Sequence, residues 1–436
     1  MKQMRNGIKG NMFSNIHRSL LLMMAMAASG LLTAQNFPAR YDTLISLVQD
    51  QLHSEVLDSL KLSGKGVKIA VLDAGFKHAN RHPALAHLWQ NGQILSTWDF
   101  VDDQANVLHH SDHGTQVLSA LAGRYGNRKL GYAQDAQFFL FRTEHERKEE
   151  FFEEENWIKA LHWADSLGAD ILVSSVNFTY ERYSLADLNG ERIPVSKAAA
   201  EAVAKGMVII VAMGNEGDSP WRYMGAPADV PGVISVGGSM PSLPMRIQFS
   251  SIGPNALGVR KPEISAPGYV LGPKGRKSYT ETAGTSFAAP MIGGIAACLL
   301  ELHPDWTNTQ VYDEICRLGH TFPFYDYELG YGIPDLRKLL PSYTPVDTSN
   351  FRVFFVGDTV FVRFDSALVA DSAAFPYGRI LHYHLQSADS TLAANYEVRI
   401  PNSTNAYYFI RRRLSRGILR IWFAGYLWEE RIEMLE

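Results

Sequence analysis

Five stretches of the chain are apolar almost without interruption: KIAVLD (68–73), FFLFRT (138–143), DILVSSV (170–176), MVIIVAM (207–213) and GVISVGG (232–238). Each has the length of a strand and is rich in Val and Ile, the signature of strands covered on both faces. Helical patterns lie among and after them, in WIKALHWADSLG (157–168), VSKAAAEAVAKG (195–206) and SFAAPMIGGIAACLLELHP (286–304). Strand and helix in alternation predict a three-layer α/β domain with a mostly parallel sheet over residues 65–340, its crossovers right-handed.

Beyond residue 340 the pattern changes. Residues 341–350 carry Pro341, Ser342, Thr344, Pro345, Asp347, Thr348, Ser349 and Asn350, the composition of a linker. FRVFFVGDTVFVRF (351–364) then places aromatic and β-branched residues around Gly357–Asp358, a hairpin signal. RILHYHL, YEVRI, AYYFIR and GILRIWFAG continue the strand pattern, and no helical periodicity interrupts them. Residues 351–436 therefore read as a small all-β sandwich.

The N-terminus has a different grammar. Lys2, Arg5, Lys9 and Arg18 precede an apolar stretch, Leu20–Leu32, too short for a comfortable membrane span, and small residues lead to Ala34. Residues 1–34 read as a signal peptide. The mature chain is then expected to be secreted, periplasmic or at the cell surface, with no membrane span. Residues 35–64 form a short leader. The 436 residues are 46% hydrophobic and 20% charged, ordinary for a globular protein. A formal charge of −4 gives no basic excess for a nucleic-acid partner. Two cysteines are too few to build the fold by disulfides, and the spacing of Cys298 and Cys316 leaves open whether they pair.

Three residues carry candidate chemistry. Asp73 ends the first apolar strand, where sites of open α/β sheets form. His113 opens HGTQVLSALAG, a helix start. Ser286 lies in GTSFAAP (284–290), at the start of another helix whose N-terminus supplies backbone donors and partial positive charge. An acid, an imidazole and a hydroxyl are the parts of a nucleophilic hydrolase: the acid orients the imidazole and the imidazole takes the hydroxyl proton. No G-x-G-x-x-G follows the first strand, which argues against a dinucleotide site.

The order Asp73, His113, Ser286, together with GTSFAAP and the MGNEG of 213–217, resembles the subtilisin-like (subtilase, S8) serine peptidases over residues 64–340. The resemblance implies an Asp73–His113–Ser286 triad acting through an acyl-enzyme on polypeptide substrates. Asn215 would be the oxyanion donor. A substrate edge would comprise Ser174, Ser175, Val176 and Asn177, an opposite wall Ala212, Met213 and Gly214, and Gly225 a pocket floor with Glu216 near its rim. Apolar walls at Val176 and Met213 over a glycine floor lead to an expected preference for Phe, Tyr, Leu or Met before the scissile bond. No cofactor or metal is required. Asp99, Asp102 and Asp103 offer oxygen ligands for a structural calcium ion, although an ordinary acidic loop is the preferred reading. The chain departs from the family pattern at Ala74, Gln116 and Val176–Asn177, and 35–64 is too short for the inhibitory prodomain of many secreted relatives. These departures motivate the alternative of a non-catalytic binding or surface protein on the same scaffold.

Two charged stretches complete the reading. EHERKEEFFEEE (144–155) is expected to be a solvated helix start, and Arg411–Arg413 with Arg416 a charged turn or strand edge. The terminal RLSRGILRIWFAGYLWEERIEMLE resembles C-terminal sorting domains of Bacteroidetes secretion systems. That resemblance implies secretion machinery as a partner; the plainer expectation is an accessory sandwich packed on the enzyme domain.

Overall fold

The computed structural model describes residues 37–145, 151–179, 182–344, 349–357, 359–366, 379–387, 392–400, 406–410 and 416–433. The signal peptide reading and Arg411–Arg413 lie outside them. Contacts divide the chain into two units, residues 1–44 and 45–436. In the first, Thr43 Oγ1 donates to the Ala39 carbonyl at 2.9 Å, within helix α1 (Phe37–Leu52). All that follows concerns the second unit.

The apolar runs become a seven-stranded, wholly parallel sheet in the order β2-β5-β1-β6-β7-β8-β9. Its strands are β1 (Lys68–Asp73), β2 (Ile94–Asp99), β5 (Gln137–Arg142), β6 (Ile171–Ser174), β7 (Val208–Ala212), β8 (Ile234–Ser239) and β9 (Ile264–Pro267). Strands β3 (Arg124–Tyr125) and β4 (Arg128–Lys129) form one separate short ribbon and β10 (Tyr269–Lys274) and β11 (Ser278–Ala283) another, and a short helix, α3 (Ala86–Gln90), precedes β2. Alternation along β6 shows why the runs are continuous. Leu172 enters a core with Trp157 and Leu161 of helix α5 (Phe151–Ser166) and Ala199 of helix α6 (Pro194–Ala204). Its neighbour Val173 faces the other way, toward Gly293 of helix α7 (Thr285–Leu302), where an added Cβ would come within 2.7 Å of it. With helices on both faces, every position of β6 and β7 is buried.

The sequence reading gave residues 35–64 no element, and it missed β2 and β9. Helix α1 and helix α2 (Glu55–Ser59) occupy the supposed leader, and Leu52, Val56 and Leu57 are buried core residues. Gln51 fastens this stretch to the end of β8, donating to the Met240 carbonyl at 2.8 Å and accepting from Ser239 Oγ at 3.0 Å. Within α5, the described part of the acid-rich run also differs from its expected solvated state. Glu153 and Glu154 are buried: Glu153 accepts the His145 backbone N–H at 2.8 Å, and Glu154 takes Arg182 at 2.7 Å and the Tyr183 hydroxyl.

The C-terminal strands build two antiparallel sheets. One has the order β12-β13-β16, from β12 (Phe351–Val356), β13 (Thr359–Phe364) and β16 (Ala406–Ile410); β12 and β13 pair antiparallel, from Phe351 with Phe364 to Val356 with Thr359, as the hairpin signal predicts. The other has the order β15-β14-β17-β18, from β14 (Arg379–Ser387), β15 (Leu392–Ile400), β17 (Arg416–Phe423) and β18 (Tyr426–Glu433). Phe351, Val360, Val362 and Phe364 from the first meet Leu381, Tyr383, Leu385, Leu419, Ile421 and Phe423 from the second in one core, as a sandwich requires. The period-2 alternation sends His382 and His384 to the opposite face of β14. There His384 stacks on Phe324 of the α/β portion, with ring centroids 4.7 Å apart, and His382 lies 6.0 Å from His320.

Candidate active site

Asp73 stands at the carboxyl end of β1 with no exposed surface. Its Oδ1 accepts the Ala74 backbone N–H at 2.8 Å. His113 is the first residue of helix α4 (His113–Ala122). Its Nδ1 lies 2.8 Å from Asp73 Oδ1 and 3.0 Å from Oδ2, a contact to both oxygens that fixes the ring. The approach depends on Gly114, where an added Cβ would stand 2.9 Å from Asp73 Cβ and 2.5 Å from the Gly75 carbonyl. The loop before α4 is pinned as well, since Ser111 Oγ accepts the His113 N–H at 3.0 Å.

Beneath Asp73 lies a charge network that sequence reasoning missed. Arg142 is its register partner on β5, yet the guanidinium turns away to Asp99 Oδ2 at 2.8 Å and Asp102 Oδ2 at 3.0 Å, and its Nε donates to the Ala74 carbonyl at 3.2 Å. His110 Nε2 completes the cluster, 2.8 Å from Asp102 Oδ2. The available signal was an arginine ending an apolar strand: buried, it needs acids nearby. Arg142 contacts Asp99 and Asp102, two of the three carboxylates offered as cation ligands, and the ligand atoms of Asp99, Asp102, His109 and His110 lie within 4.8 Å of one another. Arg142 also leaves the Asp73 carboxylate to His113.

Ser286 is the second residue of α7 and is nearly buried. Its backbone N–H belongs to the first helical turn, where donors lack intrahelical acceptors. Pro290 stands four residues later and has no N–H to offer the Ser286 carbonyl. That carbonyl accepts the Ser175 hydroxyl instead, at 2.9 Å. Ser175 lies just past the end of β6, so the substrate-edge residue and the serine are tied together. Asn215 follows β7 and is exposed. Its Oδ1 accepts the Thr285 N–H at 2.9 Å and the Thr285 hydroxyl at 3.1 Å, which fixes the amide and keeps Oδ1 occupied. Thr285, within the GTSFAAP motif, thereby sets the rotamer of Asn215.

The remaining edge residues divide. Ser174 is fully buried and its hydroxyl accepts the Trp157 indole N–H at 2.9 Å, so it serves the fold. Val176 and Met213 were expected to wall an apolar pocket, but both side chains belong to the core beneath α5 and α6. Gly225 was expected to leave depth. A Cβ there would meet Asn177 Cβ at 2.7 Å and Thr179 Cγ2 at 2.9 Å, so neighbours already fill that space. Asn177 Nδ2 donates to the Ala212 carbonyl at 2.8 Å, and Gly214 N–H to Thr285 Oγ1 at 3.2 Å. Cys298 and Cys316 are free and buried, and burial raises both thiols, that of Cys298 to about 12.

The family model described as peptidase S8, subtilase family, matches residues 64–332. Subtilisin NAT of Bacillus subtilis subsp. natto is 30% identical over 280 residues, 62% of this chain and 66% of its own length. Subtilisin of Bacillus pumilus is 30% identical over 286 residues, 65% of this chain and 93% of its own length. The crystal structure of MycP1 with its N-terminal propeptide removed superposes with a TM-score of 0.53 at 24% identity, covering 69% of this chain and 98% of that one. MycP3 protease from the type VII (ESX-3) secretion system gives 0.51 at 22%, covering 66% and 86%. The parallel sheet with helices on both faces is thus the subtilisin-like fold, extended here by a C-terminal antiparallel sandwich, and the chain belongs to the subtilase family.

Proposed function

We propose that the protein is a secreted serine endopeptidase that hydrolyses polypeptides through an acyl-enzyme, with Ser286 as nucleophile, His113 as general base and acid, and Asp73 as the group that orients it. The observation that carries this reading is the Asp73–His113 pair. A fully buried carboxylate holds Nδ1 with both oxygens, which fixes the ring and assigns proton transfer to Nε2. Ser286 Oγ attacks the scissile carbonyl and its proton passes to His113 Nε2. The oxyanion that forms is stabilised by the Ser286 backbone N–H and Asn215 Nδ2, both presented without reorganisation. His113 then gives the proton to the departing amine, and water hydrolyses the acyl-enzyme by the same steps reversed.

A fluorophosphonate probe tests the assignment. Wild-type protein is expected to be labelled on Ser286, and Ser286→Ala to lose both labelling and peptide hydrolysis. Equal labelling of the two, or none of either, overturns the reading and favours a binding protein on a peptidase scaffold. Asn215→Ala should keep labelling but lower turnover by about 10²–10³, the scale subtilisin itself sets for one oxyanion donor. Secretion rests on residues 1–34 and is checked by N-terminal sequencing of the exported protein, which should begin after Ala34.

A further inference from the structure

A peptide carbonyl held between Ser286 Oγ and Asn215 Nδ2 directs the side chain before the scissile bond into one gap. Its sides are the chain just past β6, residues 175–178, and the end of β7 with Met213 and Gly214. Its back is Gly225, held in place because Phe178 and Ala226 exchange both backbone hydrogen bonds, at 3.0 and 2.9 Å. Glycine at such a position leaves depth for a large substrate group only if nothing else enters. Here Asn177 enters. Its amide spans the gap from one side to the other, donating to the Ala212 carbonyl at 2.8 Å. Its Cβ and the buried Thr179 methyl stand where a side chain on Gly225 would begin.

The obstruction is not a loose rotamer. Swinging Asn177 aside breaks a hydrogen bond to a carbonyl at a buried strand end, and an unpaired buried acceptor is unfavourable. Thr179 is fixed in turn by its neighbour Phe178, fully buried in the core. Val176 and Met213 are committed to that same core and offer the gap no apolar lining.

We infer that Asn177 closes the primary specificity pocket, so that this peptidase cleaves after small residues, glycine, alanine or serine, rather than after large hydrophobic ones. The inference rests on the peptidase reading above and names its substrate class.

The test uses the full-length protein and two chromogenic tetrapeptide anilides that differ only in the last residue, Ala or Phe. Wild type is expected to favour Ala by about 10-fold or more in kcat/KM, within the range that pocket fit alone supplies. Asn177→Gly is expected to reverse that order while fluorophosphonate labelling of Ser286 is retained. Wild-type cleavage after Phe as fast as after Ala, in a protein that labels at Ser286, overturns the pocket assignment and leaves the peptidase reading intact. An Asn177→Gly variant that labels normally but keeps the Ala preference overturns the role of Asn177. Failure of wild type to label or to cleave either peptide removes the peptidase reading itself.

Discussion

The floor of the candidate site and the face where the C-terminal sandwich docks both bury titratable groups, and they treat them in opposite ways. Under Asp73 every buried charge is matched: Arg142 with Asp99 and Asp102, Asp73 with His113. At the docking face the buried groups are imidazoles held neutral. Burial lowers His382 and His384 to about 3 and His320 to about 4, with Arg420 beside His384 and Lys338 near His320 adding to the effect. His320 Nδ1 accepts the Ile333 N–H at 2.8 Å, so the ring already works as a neutral acceptor. The floor of the candidate site keeps its buried charges and surrounds them with partners; the docking face keeps its buried imidazoles neutral and stacks the rings. The two solutions should fail differently.

At fixed neutral pH the largest expected effect of a single substitution breaks the matched side. Arg142→Met leaves Asp99 buried without its guanidinium, and such losses cost about 3–5 kcal/mol. Denaturant unfolding should show this as a lower midpoint. A variant as stable as wild type would mean that the network is not holding the floor of the site.

Acid probes the other side. An imidazole depressed from 6.5 to about 3 or 4 takes up its proton in the unfolded chain first. Stability contributed by these histidines is complete above pH 6.5 and falls as pH drops toward 4. Each contributes a slope of about 1.4 kcal/mol per pH unit in that window. The slope is measured by denaturant unfolding at pH 7, 6, 5 and 4, and is isolated by comparison with a His382→Phe/His384→Phe double variant. A double variant with the same slope as wild type would refute the assignment.

The smallest effect sharpens the contrast. At pH 7 His384→Phe exchanges one neutral ring for another against Phe324 and should change stability by less than about 1.5 kcal/mol. A much larger loss would reveal a hydrogen bond worth more than the stacking, and the docking face would then resemble the site.

What the sequence made legible follows the same division. Asp73, His113 and Ser286 sit at a strand end and at two helix starts, places that local pattern marks. The apolar runs gave five strands of the sheet, and the Gly357–Asp358 turn gave its hairpin. Arg142, Thr285 and Asn177 act on residues some 40 to 70 positions away in sequence, or across two strand ends, and no local period encodes such pairs. RILHYHL shows the limit clearly. Its alternation separates Leu381, Tyr383 and Leu385 from His382 and His384, but the polar set reads as solvent-facing until a second layer is known to cover it. The expectation of a deep apolar pocket leaned on Val176 and Met213, whose side chains are apolar but belong to the buried core, a direction set by the sheet rather than by the local sequence.

The two helices ahead of β1 set a limit on processing. Leu52, Val56 and Leu57 are core residues and Gln51 bridges to Ser239 and Met240, so trimming the chain into this stretch would strip apolar surface from the enzyme rather than release it from a leader. Whatever cleavage matures this protein has to stop upstream of that anchor. A protease digest that nicks between residues 51 and 57 would then be an inactivating event, and resistance there a simple assay of whether the protein is whole.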